Sequence, residues 1–406
     1  METETTGELM QNAAEKKGDS ANGRVVMLDV VRGWSMFFIA GGDALLLALC
    51  LCFPDFPGCA WMRSQLGHAQ WEGFTFYDAI FPTFLLVSGA AFTYAWQKQC
   101  AMGRTFIWRW RRLTVRTLLL IALGILYNGA LQATDLHEIR YASVLARIGL
   151  GVYLAAIPYV ALPLKWRWVF FPCGLLMYVG LFALCGGDGA YEMSGNWAGA
   201  IDRTFLPGRP DASAIDGLDP EGFVSTLGAA MTAYLGMLLA DFLRTHRNCK
   251  AVYLMAAGAL LLVAGYVATD WVPLIKKLWT ASYICVAGGW TLLFCSVVYL
   301  MTPLFKQSRW HYPIVFLGTA ALWFYLLPKL FDFRVAAWRL LSGITCAITE
   351  NQNVHALVCS AGALLLLWCT VWLLRSAVRQ LQLPGKQSHP GQGHSNKFGV
   401  RGGKNT

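Results

Sequence analysis

His68 is the residue of this sequence best suited to acid–base chemistry. It lies in a short polar stretch, GHAQWEG at 67–73, between two long apolar segments, and it is the only histidine among the first 136 residues. Imidazole accepts and donates protons near neutral pH, and a nearby carboxylate orients the ring and stabilises its charged form. We expect Asp43 to be that carboxylate. The pair predicts removal of a proton from an acceptor molecule; the alternative is a structural histidine.

The carboxylate of Asp43 has no partner in the surrounding sequence. It follows Arg32 by eleven residues, about 16 Å along a helix, and the residues one turn away are apolar or small. An ionisable group inside a membrane helix costs about 2.5–3.5 kcal/mol, which indicates function. Gly41 and Gly42 precede it and permit either close backbone approach or a local break. Asp29 and Arg32 are three residues apart, so they predict an ion pair that is either structural or part of a substrate site.

Other polar residues flank the apolar segments or lie in a long loop. Asp78 comes within the first turn of a helix, where a carboxylate suits the helix dipole, and it is also a candidate for substrate binding. Asp219 before Pro220 predicts a helix N-cap. Arg147 predicts either an anionic phosphate ligand or a structural partner, and Lys276 and Lys277 predict an anion nearby. The remaining candidates for substrate binding are Glu72, Asn128, Asn196, Asp202, Arg203 and Glu221.

The elements that position these residues are predicted to be membrane helices. Of the 406 residues, 56% are hydrophobic and 14% are charged, and the mean hydropathy is +0.46. These values exclude a disordered protein, a coiled coil and a typical soluble enzyme. They predict an all-α polytopic bundle of about ten transmembrane helices. The predicted spans are 26–52, 74–97, 113–132, 142–163, 167–186, 222–243, 251–269, 279–303, 312–331 and 354–375; the short segment 335–349 is interfacial, re-entrant or an eleventh span.

The basic residues predict orientation rather than binding of nucleic acid. The net charge is +10, but the lysines and arginines form short clusters between apolar runs. With ten spans, 22 of the 33 fall on the side of the two termini, which predicts that both termini are cytoplasmic. Residues 1–23 and 381–406 are expected to be disordered tails around a transmembrane domain at 24–380. The cysteines lie mostly in apolar runs and form no CxxC pair, so no metal site is expected.

Several motifs in order resemble one enzyme family. The motifs LDVVRG at 28–33, HAQWEG at 68–73 and DAIFP at 78–82 resemble the membrane acetyltransferase family of heparan-α-glucosaminide N-acetyltransferase. Later segments agree in order, namely 141–149, 196–203, 219–222, 277–280 and 317–319. The resemblance covers about residues 24–375. Trp71 and Trp279 lie in matching motifs, which adds Trp71 to the substrate-binding candidates and Trp279 to the residues expected to bind acetyl-CoA.

The resemblance implies a multi-helix fold that transfers acetyl from cytoplasmic acetyl-CoA to an amino sugar across the membrane. The catalytic histidine of the family matches His68. Asp43 stands where the animal enzyme has Asn, and Glu72 stands where Asn is expected after the loop tryptophan. An amide donates a hydrogen bond to an acetyl carbonyl, whereas an ionised carboxylate cannot. Asp43 is therefore better suited to orienting His68 or holding an ammonium group. The luminal domain of the animal enzyme has no counterpart in this sequence.

Together these features predict an acyltransferase of a bacterial inner membrane, with His68 as general base or acetyl carrier and Asp43 orienting it. Arg147, Lys276, Lys277 and Trp279 are expected to bind acetyl-CoA. The expected partners are the lipid bilayer and a sugar or glycan. The sequence leaves open the acceptor, transfer to nitrogen or oxygen, the acyl length and a homodimer. The rival hypothesis is a transporter of amino sugars in which the embedded charges form a substrate or proton path.

Overall fold

The computed structural model describes residues 26–245, 249–307 and 311–382. The predicted tails lie outside these residues, except that the last helix includes residues 381 and 382. The described residues form helices and isolated β-bridges but no strand. The helices are α1 (Val26–Phe37), α2 (Asp43–Cys52), α3 (Cys59–Gln65), α4 (Phe76–Ala101), α5 (Phe106–Tyr127), α6 (Val144–Ala161), α7 (Leu164–Gly186), α8 (Trp197–Phe205), α9 (Phe223–Thr245), α10 (Lys250–Val267), α11 (Ala281–Gln307), α12 (Tyr312–Thr319), α13 (Ala321–Leu330), α14 (Phe333–Ile348) and α15 (Gln352–Gln382).

Eight stretches of the described chain are helical, long and apolar enough to cross a membrane, or nine if α12 and α13 form one bent span. The prediction of an all-helical membrane protein is therefore confirmed, while the predicted count of ten is not. The missing span is α5, which covers most of the predicted segment 113–132. Its first half carries Arg109, Arg111, Arg112 and Arg116, so it is too highly charged to qualify by composition. Helix α14 covers the segment predicted at 335–349 and has 16 residues, fewer than the ~20 that a span needs.

The first apolar segment is not one continuous helix. Residues Phe38–Gly42 form a π-helical turn between α1 and α2, and Gly41 within it has a φ of 117°. Only glycine adopts this backbone conformation readily, so the break predicted at the two glycines is confirmed. Asp43 is the first residue of α2. A second break separates α12 from α13, which meet at 72°.

Helix α9 lies at the centre of the bundle and is the most buried of the candidate spans. It packs against α4 and α6, and α11 packs against α4 and α10. By contrast, α7 exposes apolar side chains such as Leu176 and Leu184, as expected for a helix that faces lipid. The first residues of α4 and α6 line one cavity, together with the residues just before α9 and α11. These four helices therefore run in one direction, and α5, α7 and α10 return between them.

Two glycines allow α4 and α9 to approach each other at backbone distance. A Cβ built on Gly89 would lie 1.9 Å from the carbonyl oxygen of Ala233, and one on Gly236 would lie 1.8 Å from the carbonyl oxygen of Leu86. Small residues at membrane helix interfaces permit such close packing, which provides much of the association energy where lipid surrounds the bundle. The arrangement fixes α4, and with it the residues at its first turn.

Replacing Gly236 with alanine is expected to lower the free energy of unfolding by roughly 1–3 kcal/mol, because the added methyl group must push two backbones apart. Thermal unfolding of the purified protein in detergent measures the effect as a lower Tm. Gly180→Ala in α7 is the matched control, since its Cβ meets no atom within 4 Å. An equal Tm for the Gly236→Ala and Gly180→Ala proteins would contradict the packing argument.

Candidate active site

A cavity beside His68 lies where α4, α6, α9 and α11 begin. It has a volume of about 590 Å³. Its walls also include the loop before α4, with His68 and Trp71, and a single residue of the first apolar segment, Ile39. Cavities of this order bind small molecules, and this one combines aromatic walls with several charged groups. It is therefore the candidate active site.

Asp78 is buried beneath the floor of this site and is held by a dense set of hydrogen bonds. Its side chain has no exposed surface. One carboxylate oxygen, Oδ2, accepts hydrogen bonds from the backbone N–H groups of Ala69 and Thr75 and from Thr75 Oγ1. Thr75 and Asp78 form a capping box at the start of α4. These bonds fix the carboxylate and leave its other oxygen, Oδ1, free to contact the loop histidine.

His68 forms a hydrogen bond with this free oxygen, Asp78 Oδ1. Its Nδ1 lies 2.7 Å from Asp78 Oδ1, and 54% of its side chain is exposed to the cavity. An ionised carboxylate only accepts hydrogen bonds, so Nδ1 carries the proton and Nε2 keeps its lone pair. No described residue forms a hydrogen bond with Nε2. The arrangement therefore presents the basic nitrogen Nε2 to the cavity, while the hydrogen bond at Nδ1 fixes the imidazole ring.

Lys276 is the third member of this cluster. Its Nζ lies 3.0 Å from Asp78 Oδ1 and 2.9 Å from His68 Nδ1. Because Nδ1 already carries a proton, Lys276 donates its hydrogen bond to the carboxylate. The 2.9 Å between Nζ and Nδ1 is then the distance between two donors that share Asp78 Oδ1 as their acceptor. Burial lowers the pKa of Lys276, and its interaction with Asp78 opposes that shift. The buried carboxylate is thus balanced by one cation and one imidazole.

Asp43 does not contact the histidine. Its Oδ2 accepts a hydrogen bond of 3.0 Å from the hydroxyl of Tyr77, whose ring lies 4.7 Å from the ring of His68. The carboxylate that orients His68 in the structure is therefore Asp78, which the sequence analysis treated as a helix-dipole or substrate residue. Tyr77 separates the two acidic groups. Asp43 instead faces a second cavity of about 360 Å³ beside the break in the first span.

Arg140 also lines the cavity and is held by three carboxylates. Its guanidinium lies 2.9 Å from Asp211 and 3.0 Å from Asp219, and it also donates to Glu221. Burial works against its charge, but these carboxylates raise the pKa of Arg140 above its usual value. The predicted residue Glu221 therefore lies at the site as part of an ion cluster. Asp219 is a member of this cluster rather than a simple helix cap.

Arg147 and Lys277 are cations of the cavity wall without a carboxylate partner among the described residues. Arg147 donates to the carbonyl of Pro220 and to Ser225, and its guanidinium lies 5.0 Å from the ring of Trp279. Its Nε has no hydrogen-bond partner within the described part of the chain. Lys277 donates to the carbonyl of Ser213. Both side chains, together with Trp279, line the cavity.

The structure gives several other predicted residues a structural role. Asn128 donates to the carbonyls of Arg140 and Ala142 and ties the loop after α5 to the start of α6. Asn196 caps α8 through a hydrogen bond from the N–H of Gly199. Glu72 forms a backbone bridge with Ile275. None of these three residues lines the cavity.

Asp202 and Arg203 also lie away from the cavity. The carboxylate of Asp202 accepts hydrogen bonds from the backbone N–H groups of Asp219 and Phe223, so it caps the start of α9 from a distance. Burial raises the pKa of Asp202 to about 6, although these two hydrogen bonds oppose the shift. Arg203 pairs with the exposed Asp216 at 3.4 Å. The N-cap predicted for Asp219 is therefore provided by Asp202.

Asp29 and Arg32 form the ion pair that their spacing predicts, at 3.6 Å, and neither lines the cavity. Trp71 does line it and donates its indole N–H to the carbonyl of Tyr191. Sequence reasoning missed Tyr77 and Arg140 as site residues. A signal for Arg140 existed, since it precedes an apolar span on the side where basic residues are rare. Tyr77 had none beyond its position next to Asp78.

Comparisons with known proteins point to one enzyme. No protein-family profile matches the chain. The chain is 22% identical over 381 residues to heparan-alpha-glucosaminide N-acetyltransferase of Homo sapiens. This alignment covers 78% of the chain and 56% of the human protein. The corresponding protein of Mus musculus is 22% identical over 353 residues, covering 72% of this chain and 50% of the mouse protein.

The chain is a distant relative of heparan-alpha-glucosaminide N-acetyltransferase. The resemblance inferred from the motifs is thereby confirmed. The chain spans about half the length of these curated relatives. Two of the motifs that carry the likeness to the acetyltransferase, at 68–73 and 78–82, meet in the structure as the His68–Asp78 pair. Within the described residues, no group of His, Cys, Asp and Glu side chains is arranged to hold a metal ion.

Proposed function

We propose that the protein is a membrane acetyltransferase that moves an acetyl group from acetyl-CoA to an amino or hydroxyl group of a sugar or glycan. His68 acts as general base or as acetyl carrier. The observation that carries the proposal is the His68–Asp78 pair, which leaves Nε2 open to a cavity of about 590 Å³. The distant relationship to N-acetyltransferases supports the same reaction class.

The chemistry assigned to this pair is transfer of an acyl group between two nucleophiles. In direct transfer, His68 Nε2 takes the proton of the acceptor as the new bond to the acetyl carbon forms and the carbon–sulfur bond breaks. The sulfur leaves as a thiolate and takes up a proton. In the alternative, Nε2 attacks the thioester and carries the acetyl group before the acceptor attacks it. In both routes the imidazole becomes positively charged, and Asp78 stabilises that charge.

The walls of the cavity suit an anionic group. Arg147 and Lys277 have no carboxylate partner among the described residues, and Arg147 keeps one buried N–H unused. Arg140, by contrast, is neutralised by its three carboxylates. The cavity also lies at the starts of four helices, whose dipoles favour negative charge there. Because acetyl-CoA is proposed to be supplied from the opposite side of the membrane, we assign Arg147, Lys277 and the ring of Trp279 not to its phosphates but to an anionic group at the acceptor end, or to the negative charge that develops on the acetyl carbonyl oxygen.

The proposal also covers the orientation of the protein in the bilayer and the membrane to which it belongs. Counting α5 and the bent pair of α12 and α13 as spans gives ten, with both termini on the side that is richer in lysine and arginine. That side is proposed to be the cytoplasm, so acetyl-CoA is supplied there while the cavity faces outward towards the acceptor. The membrane is proposed to be a bacterial inner membrane.

A transporter of amino sugars is the second candidate function. It is favoured by the breaks at Gly41 and between α12 and α13, since discontinuous helices recur at transporter binding sites. The carboxylate of Asp43 lies beside the first break and faces a cavity of its own. An ammonium group would suit that position. The two candidates differ in whether acetyl-CoA is consumed.

The test is release of free CoA by the purified protein in proteoliposomes, with acetyl-CoA and with or without glucosamine. We expect release that depends on the acceptor and yields acetylated glucosamine. Adding acetyl-CoA only inside or only outside the vesicles tests the proposed orientation. Empty vesicles provide the background rate of thioester hydrolysis.

The same vesicles separate the two candidate functions. Uptake of labelled glucosamine without acetyl-CoA, together with no CoA release for a panel of amino sugars, would contradict the acetyltransferase and support the transporter. CoA release that is independent of every acceptor would indicate a thioester hydrolase and would also contradict the proposal. Release with an acceptor but without net uptake of unmodified sugar supports it.

A further inference from the structure

A stripe of basic and aromatic side chains runs along the first half of α5, at the end of the bundle opposite the cavity. Its members within the helix are Trp108, Arg112 and Arg116, which follow one another at four-residue spacing and so share one face. Arg104 lies just before the helix begins and completes the stripe. The guanidinium groups of Arg104 and Arg112 lie 5.0 and 5.4 Å from the ring of Trp108. The three arginines are exposed and Trp108 is half-buried.

The charges of this stripe are unfavourable within the described protein. Positive side chains at the N-terminal end of a helix oppose its dipole, and like charges four residues apart, such as Arg112 and Arg116, repel each other. Across residues 26–245, 249–307 and 311–382, none of the three arginines forms an ion pair with a carboxylate. An external anion at this face would offset both effects.

The same helix face continues as exposed apolar surface. Leu119 and Leu126 follow Trp108 by eleven and eighteen residues, spacings that return to the same side of a helix. Their side chains are 58% and 47% exposed. A ligand that matches this face therefore has an anionic part near Arg112 and Arg116 and an apolar part about 5–15 Å further along the helix.

We propose that this stripe is a binding site for an anionic phospholipid of the surrounding bilayer. The headgroup phosphate lies between Arg112 and Arg116, one helical turn apart, and an acyl chain follows Leu119 and Leu126. Trp108 lies at the level of the headgroups, where tryptophan is enriched in membrane proteins. Arginine is well suited to phosphate because its planar guanidinium offers several donors. The proposal does not depend on the acetyltransferase activity.

The test is native mass spectrometry of the purified protein titrated with phosphatidylglycerol or phosphatidylcholine in detergent. We expect tighter binding of phosphatidylglycerol. Arg112→Gln should weaken it about fivefold, and the double change with Arg116→Gln about 25-fold, as expected for roughly one lost charge contact per arginine. Arg111→Gln is the matched control, because it removes the same charge from an exposed residue that lies about 100° around the helix from Arg112 and further still from Arg116. Arg112→Lys keeps the charge and should retain most of the binding.

Three outcomes would overturn the proposal. Equal binding of the two lipids by the unmodified protein would remove the need for a charged headgroup site, whatever the variants do. An equal loss in the Arg111→Gln and Arg112→Gln proteins would indicate general attraction by net charge instead of the stripe. Displacement of phosphatidylglycerol by inorganic phosphate or glycerol 3-phosphate would indicate that a soluble phosphate is the ligand.

Discussion

Replacing His68 with alanine is expected to abolish acetyl transfer, with a loss in kcat of at least about 10³-fold. The change removes the imidazole whose Nε2 has no hydrogen-bond partner among the described residues, and general base catalysis alone contributes about 10²–10⁴-fold. If His68 carries the acetyl group, the loss is larger. The measurement is acceptor-dependent CoA release by the purified variant, compared with the unmodified protein under the same conditions.

His137→Ala is the matched control for this prediction. His137 is an exposed histidine in a short helical turn and does not line the cavity, so its removal should leave the rate unchanged. Unchanged thermal unfolding of the His68→Ala protein would show that the loss is chemical, as expected for a half-exposed loop residue. Retention of more than a tenth of the activity by His68→Ala would contradict the assignment of His68 as the catalytic group.

The two proposed roles of His68 can be separated with labelled acetyl-CoA in the absence of acceptor. A carrier predicts label on the protein, at most one acetyl group per chain, and loss of that label in the His68→Ala protein. A general base predicts no label. Both results agree with catalysis by His68, and they decide between transfer in one step and transfer in two.

Much of the fold was predictable because membrane spans are encoded locally. Runs of about 20 apolar residues must be helical in a bilayer, so the positions of most helices follow from composition alone. Gly41 and Gly42 also indicated that the first span could be broken. The bend between α12 and α13 was not predicted, since a continuous run of apolar residues gives no sign that the helix axis changes direction. Helix α5 differs: the apolar segment 113–132 predicts a span, but the arginines in the first half of the helix make it too highly charged to qualify by composition.

The site was harder to predict because its contacts join residues that are distant in sequence. The histidine was identified by type and position, but the carboxylate beside it was assigned to Asp43 on the ground that Asp43 lacked a partner. The deciding feature is the path of the loop at 67–75, which folds back so that Ala69, Thr75 and His68 all reach Asp78. Such folding back depends on three-dimensional packing. The same holds for Asp202, which caps a helix 21 residues later.

Replacing Asp78 with asparagine is expected to lower kcat by about 10³-fold or more, the loss typical when the carboxylate behind a catalytic histidine becomes an amide. The amide can donate to Nδ1, which favours the tautomer whose Nε2 carries the proton and cannot act as base. It also leaves the ammonium group of Lys276 without its partner and offers no stabilisation of the imidazolium form. Acceptor-dependent CoA release measures the loss, and KM should change far less than kcat.

Asp43→Asn provides the decisive comparison, because it makes the same chemical change at the carboxylate that lies beyond Tyr77. An asparagine can still accept the hydrogen bond from Tyr77, so the activity of this variant should stay within about tenfold of the unmodified protein. A larger loss for Asp43→Asn than for Asp78→Asn would contradict the assignment, since the two variants differ in which carboxylate contacts the ring of His68. Thermal unfolding separates a catalytic loss from the ~1 kcal/mol expected when the cap of α4 is weakened. If Asp78→Asn loses activity while its Tm falls only slightly, the buried carboxylate serves the histidine as well as the helix.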